Sequence, residues 1–185
     1  SGLIYLNGIN ITRKSIPARA RAGIGRSYQI TNIFKGFTLL ENLLFGIFSS
    51  NIQNKWFPTF PINKNVANKQ ASEQLDRVGL SGKENKSANE LSYGEFRQLE
   101  IAVAISSRPK VLLLDEPLAG LGFTESKKIV SIINSLKSEM AILIVEHDIS
   151  TVLSLANHVS ILSKGKVQLS GPTNDPIIRK IIMKN

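Results

Sequence analysis

No cysteine occurs in these 185 residues, which excludes a disulfide framework and any thiolate metal site. Histidine is nearly as scarce: His147 and His158 are the only two, too few for a histidine-built metal cluster. No apolar run approaches the roughly 20 residues that a bilayer span needs. Tryptophan occurs once, at Trp56. Acidic charge is the minority, 14 residues against 23 basic ones, for a net charge of +9. Such an excess is compatible with an anionic partner. Yet adjacent basic residues are few, as at Arg13-Lys14 and Lys127-Lys128, and no RGG, zinc-finger or RRM pattern appears, so nucleic acid is not the expected partner. What is present is an ordinary folded balance, 42% hydrophobic and 20% charged, for which one domain is the default at this length.

Along the chain, Leu3 to Leu6, Asn7-Gly8 and Ile9 to Ile11 spell a hairpin with a type I′ turn. Ser15-Ile16-Pro17 opens a short helix, with proline in its first turn. Gly23 to Ile30 (GIGRSYQI) reads as strand or loop. Thr38-Leu39-Leu40-Glu41 is a capping box that starts a helix to about Phe48. Asn51 to Pro61 is a loop with two prolines and no period. Ala67, Ala71, Leu75 and Val78 share one helical face, and Gly79 can end that helix. Lys83 to Asn89 is polar linker. Ser92-Tyr93-Gly94-Glu95 is a second capping box and starts a helix to Ser106. Val111 to Leu114 and Ala141 to Val145 are continuous apolar runs, expected of strands buried on both faces of a parallel sheet. Between them Ile129, Ile132, Ile133 and Leu136 line one helix face, which completes a βαβ unit. A helix near Ile149 to Ala156, a hairpin at Lys164-Gly165 and a helix from Pro176 to about Met183 close the chain.

Both apolar runs end in polar residues: Asp115-Glu116 after the first and Glu146-His147-Asp148 after the second. In open α/β sheets ligands bind outside the carboxyl ends of the strands. A buried, unpaired carboxylate costs several kcal/mol, so something cationic should meet Asp115, and magnesium on a nucleotide would serve. Glu116, the next residue, faces differently along the strand and can act as general base on a water. The plain alternative makes both carboxylates helix caps or lysine partners. His147 can reach a terminal phosphate or the attacking water, or it is only a turn residue. The Ser92 turn offers free backbone N–H groups and a helix dipole to an anion, although capping alone explains Ser92 and Glu95. The helix after Thr38 is apolar almost all round, through Leu39, Leu40, Leu43, Leu44, Phe45, Ile47 and Phe48. It either lies buried between the Ala67–Val78 and Leu99–Ile105 faces or presents a surface to a partner.

LSYGE, a helix, VLLLDEP and a histidine after the next strand together resemble the nucleotide-binding subunit of ABC transporters. The similarity runs through essentially the whole chain in the right order. GIGRSYQ, IFKGFTLLENLL, LSYGE, LAGLG and EHD are similar to the ATPases of branched-chain amino-acid importers, with urea and lipopolysaccharide transporter ATPases as close relatives. The resemblance implies an α/β fold: an incomplete ABC-type P-loop ATPase with a parallel sheet core, an N-terminal β-hairpin and an inserted helical subdomain. It implies an ATPase core at residues 1–32 and 91–170, a helical subdomain at 33–90 and a C-terminal helix at 171–185.

The cofactors implied are ATP and Mg2+. Glu116 would be the general base and His147 the sensor of the terminal phosphate. Asp115 and Gln29, the latter in the Q-loop position, would hold magnesium and water. Ser92, Gly94 and Glu95 of the signature turn, with Gly120 of the D-loop LAGLG, would contact nucleotide, the signature turn serving the partner subunit's site. Implied partners are membrane permease subunits, a second ATPase subunit and, indirectly, a periplasmic or extracellular solute-binding protein, at the cytoplasmic face of the membrane. Two departures stand out. The phosphate-cradling G-x-x-x-x-G-K-S/T is missing, so the chain is expected to be truncated ahead of its first hairpin and inactive alone. Gly122 also replaces the usual acidic D-loop residue. A soluble ABC ATPase acting on ribosomes or DNA is the other class, but those relatives carry two modules or a long coiled-coil insertion. A pseudo-ATPase is disfavoured by the retained Glu116 and His147.

Overall fold

A hairpin comes first. Asn7 and Gly8 both have positive φ, +49° and +77°, the backbone a type I′ turn requires, and they join β1 (Tyr5–Leu6) to β2 (Ile9–Asn10) in antiparallel register. The structure, a computed structural model, describes residues 2–27, 33–51 and 63–182. Its chain divides into two compact units, Ser1–Ile144 and Val145–Asn185.

In the first unit α1 (Ile16–Arg21), with Pro17 in its first turn, leads into β3 (Ile24–Arg26). The Thr38–Glu41 capping box forms: Thr38 N–H donates to the Glu41 carboxylate and Glu41 N–H to the Thr38 hydroxyl. It starts α2 (Leu39–Asn51), which runs three residues past the expected Phe48, since no proline follows before Pro58. α3 (Lys64–Arg77) buries Ala67, Ala71 and Leu75, and Gly79 follows at φ +76°. The segment expected to be plain linker does structural work. The Lys86 and Glu84 carbonyls accept from Leu39 and Leu40 N–H, donors that the first turn of a helix cannot satisfy itself. A single 3-10 turn (Ala88–Glu90) then leads into α4 (Tyr93–Ser106).

α2 packs against both α3 and α4. Leu39, Leu43 and Ile47 are buried, and a side chain at Gly46 would collide with Ser106 at the end of α4. The apolar surplus of α2 is therefore split: one stripe is internal, as in the burial reading, and the rest is not. Phe34, Phe37 and Phe45 form an exposed cluster with ring centroids 5.1 to 5.6 Å apart. Asn42, nearly fully buried, fixes it by accepting from Phe34 N–H and donating to the Phe34 carbonyl.

β4 (Val111–Asp115) pairs parallel with β3, Gly25 opposite Leu112 and Arg26 opposite Leu113. α5 (Phe123–Leu136) buries Ile129, Ile132, Ile133 and Leu136, and its crossover sets β5 (Ala141–Val145) on the other side of β4. Neither strand is buried on both faces. In β4 only Leu112 and Leu114 are fully covered, the alternate residues being half-buried. In β5 Leu143 and Val145 are 60% and 56% exposed. A continuous apolar run shows that a strand can tolerate burial, while coverage depends on what lies across each face.

The second unit contains α6 (Ile149–Leu155) and the antiparallel pair β6 (His158–Ser163) and β7 (Lys166–Pro172), which turns at Lys164-Gly165 with φ of +48° and +72°. α7 (Pro176–Ile182) packs on β7. Among the described residues no helix is long and apolar enough to cross a membrane.

Candidate functional site

β4 delivers Asp115 at its end and Glu116 one residue beyond. The cation that meets Asp115 is the protein's own: Arg26, from the end of β3, places a guanidinium nitrogen 3.8 Å from the carboxylate. The Asp115 side chain is also one-third exposed, so the expectation of a buried carboxylate is corrected. It sits at the end of the central strand β4, partly open to solvent. The Arg26 pairing follows from strand order. Only once β3 is known to neighbour β4 does the arginine of GIGRSY fall beside Asp115.

Glu116 has φ +45°. Left-handed backbone costs a non-glycine residue of order 1–3 kcal/mol and gathers at functional sites. Of the other described non-glycine residues with positive φ, Asn7 and Lys164 lie in hairpin turns and Arg108 follows the end of α4. Glu116 stands directly after a strand, and its carbonyl accepts from Ala119 N–H at 3.1 Å to close the next turn.

The second cluster lies at the start of α4. The Ser92–Glu95 capping box is complete: Ser92 Oγ accepts from Glu95 N–H, and the Glu95 carboxylate accepts from Ser92 N–H at 2.9 Å. Lys83, in the polar segment upstream, pairs with the other Glu95 oxygen. That ammonium and the Ser92 amide hold the Glu95 carboxyl down to about 2. Lys83 carries no local signal in the sequence, because the pairing depends on how a loop folds back.

Gly94 and Gly120 are both sites of close approach. A Cβ on Gly94 would come 2.6 Å from Glu125 Oε1, and one on Gly120 3.2 Å from the Tyr93 ring, where φ is already +75°. Gly122, the departure from the family pattern, is the N-cap of α5. It has no side chain to cap with, and Glu125 accepts from its N–H at 3.1 Å. Arg97 and Glu100 form a buried pair on α4, and burial pushes the Glu100 carboxyl up against the influence of Arg97.

His147 belongs to the second unit. Its side chain is largely exposed, with Nδ1 3.9 Å from the carboxylate of Glu146. Asp148 caps α6, accepting from the Thr151 and Ser150 hydroxyls and Ser150 N–H. Those hydroxyl bonds hold its carboxyl below the usual range. Gln29 lies outside the described residues, as does Trp56.

Asp115, Glu116 and Arg26 thus stand together. Ser92, Glu95 and Lys83 form a second group, joined to Gly120 and Glu125 through Tyr93 and Gly94. Among the described residues no three histidine, cysteine or acidic side chains gather to hold a metal unaided. A half-open carboxylate at a strand end instead suits magnesium, which is commonly held by one or two carboxylates plus substrate phosphates.

The family model described as "ABC transporter" matches residues 1–119. The high-affinity branched-chain amino acid transport ATP-binding protein BraF of Pseudomonas aeruginosa is 36% identical over 173 residues, 89% of this chain and 67% of its own length. LivG of Escherichia coli, also named a high-affinity branched-chain amino acid transport ATP-binding protein, is 33% identical over 82% of this chain and 62% of its own. The phosphonates import ATP-binding protein PhnC 2 of a Synechococcus species is 36% identical over 94% of this chain and 65% of its own. The chain spans about two thirds of the length of these relatives. Among solved structures, a nucleotide-free ATP-binding cassette from an ABC transporter matches with TM-score 0.82 and 27% identity over all of this chain and 74% of its own. The ADP conformation of an ATP-binding cassette matches with TM-score 0.78 and 27% identity over all of this chain and 78% of its own.

Proposed function

The chain belongs to the ABC transporter family, and from that premise we propose that it is part of an ATP-binding subunit that couples ATP hydrolysis to import of a small polar solute. The observation that carries the reading is Glu116, held in left-handed backbone at the end of a core strand beside Asp115. There it can take the proton of a water attacking the terminal phosphate. Asp115, with Gln29, would hold magnesium, which supplies charge neutralisation on the phosphate oxygens. On magnesium arrival Arg26 would give up Asp115. Ser92, Gly94 and Glu95, with Gly120, would face the nucleotide of a second ATPase subunit, and His147 would sense the terminal phosphate.

Branched-chain amino acids are the first candidate solute, supported by the GIGRSYQ, LSYGE and EHD stretches and by the likeness to BraF and LivG. The likeness to PhnC 2, which covers more of the chain, keeps phosphonates as a second candidate. The exposed Phe34–Phe37–Phe45 cluster supports docking onto a membrane permease at the cytoplasmic face, with a solute-binding protein as indirect partner.

The test is Glu116→Gln in a chain that also carries the phosphate-cradling loop. Removing a general base lowers turnover roughly 10²–10⁴-fold while ATP binding persists. Hydrolysis at the parental rate would place the base elsewhere. The 185-residue chain by itself is expected to bind ATP weakly and not hydrolyse it. Micromolar affinity with turnover, read with a fluorescent ATP analogue and a phosphate assay, would overturn that expectation.

A further inference from the structure

Tyr93 is large, half-exposed and not needed for capping, since Ser92 and Glu95 satisfy each other. Its ring covers Gly120, and its hydroxyl donates to the Ala119 carbonyl at 3.2 Å. Ala119 N–H in turn donates to the Glu116 carbonyl at 3.1 Å. Behind Tyr93, Arg97 donates to the same hydroxyl at 3.2 Å and stacks on the ring 5.5 Å from its centroid. The arginine is itself anchored on buried Glu100 at 2.8 Å. A continuous run of contacts therefore leads from inside α4 through Tyr93 and Ala119 to the strained backbone of Glu116. A separate contact ties the start of α4 to the start of α5: Glu125, which caps Gly122, lies against Gly94.

We propose that Tyr93 is a positioning residue that couples the LSYGE turn to the Glu116 turn within one chain. Occupation of the α4 start would then be felt at Glu116 through Ala119, and the left-handed conformation of Glu116 is the element held. The identity of Glu116 as general base rests on the reading above, but the coupling does not. The first readout therefore needs no nucleotide.

Tyr93→Phe keeps the ring on Gly120 and removes only the hydroxyl. In residue-resolved amide hydrogen exchange on the 185-residue chain, Ala119 should exchange roughly three- to tenfold faster, the range expected for one net hydrogen bond, with amides in β4 and the middle of α4 unchanged. Incorporation of 3-fluorotyrosine, which keeps a hydroxyl, should restore the slow rate. Unchanged exchange at Ala119, or a uniform increase across the unit, overturns the proposal. In a chain that also carries the phosphate-cradling loop, Tyr93→Phe should lower kcat for MgATP several-fold and leave KM for ATP unchanged. A raised KM at constant kcat would place Tyr93 in nucleotide binding and overturn the positioning role. Intact Tyr93-dependent exchange in a chain that also carries the phosphate-cradling loop, yet never hydrolyses ATP, would instead refute the ATPase reading and leave the coupling standing.

Discussion

Gly94→Ala sets two effects of similar size against each other. In the interior of a helix alanine is preferred over glycine by up to about 1 kcal/mol, less near an end, and Gly94 is the second residue of α4. Taken alone, the substitution should stabilise by about 0.5 kcal/mol. The new Cβ, however, would lie 2.6 Å from Glu125 Oε1, 2.8 Å from Cδ and 2.9 Å from Cγ. Glu125 is flexible enough to swing away, but it then releases Gly122 N–H. That N–H opens α5 with no other side-chain cap. Loss of an N-cap interaction costs about 0.5–2 kcal/mol, and displacing the packed carboxylate adds to it. The net expectation is destabilisation by about 1 kcal/mol. In a Glu125→Ala background the obstacle is gone and Gly94→Ala should turn stabilising, so the pair couples by about 1.5 kcal/mol, within the range of contacting residues. Urea unfolding followed by far-UV circular dichroism on the four proteins of the cycle measures it. The same sign and size in both backgrounds would refute the argument that the glycine of LSYGE is required first by its own chain.

Further expectations concern charge, core and surface. Because the Glu95 carboxyl is depressed to about 2, its contribution to stability is present above about 4.5 and drains away as pH falls from there towards 2; with solvent screening it amounts to about 1 kcal/mol. Lys83→Met should flatten that acid limb in urea unfolding at stepped pH, and an unchanged limb would remove Lys83 from the account. Leu43→Ala, at a fully buried position on α2, should cost about 2–5 kcal/mol, read as a lower urea midpoint. Phe34→Asp and Phe37→Asp, at exposed positions, should leave folding intact and abolish co-purification with a permease; unchanged complex formation would move the docking surface elsewhere.

Local chemistry was legible in the sequence. Asn7-Gly8 and Lys164-Gly165 specify their turns through two successive positive φ values, and the two capping boxes fix where α2 and α4 begin, because each of these signals lies within four residues. The apolar runs located β4 and β5, and their polar ends located Asp115 and Glu116. What stayed hidden depends on partners distant in sequence. Arg26 reaches Asp115 only through the β3–β4 pairing, Lys83 reaches Glu95 across a loop, and Glu125 meets Gly94 only once α5 has returned beside α4. The left-handed backbone of Glu116 was hidden too, since no glycine marks it. Exposure of Leu143 and Val145 was missed because periodicity reports which side chains tolerate burial and says nothing of what covers them.

That bare stretch of β5 bears on how the chain behaves as a colloid. Leu143 and Val145 project from a strand that, among the described residues, has one neighbour in its sheet, the kind of border onto which another molecule's strand can add. The net charge of +9 opposes such encounters while the Debye length is long, about 30 Å at 0.01 M salt, and far less at 1 M, where it is about 3 Å. Solutions of this chain should therefore stay dispersed at low ionic strength and cloud on addition of salt, the reverse of a protein whose association is driven by attraction between opposite charges.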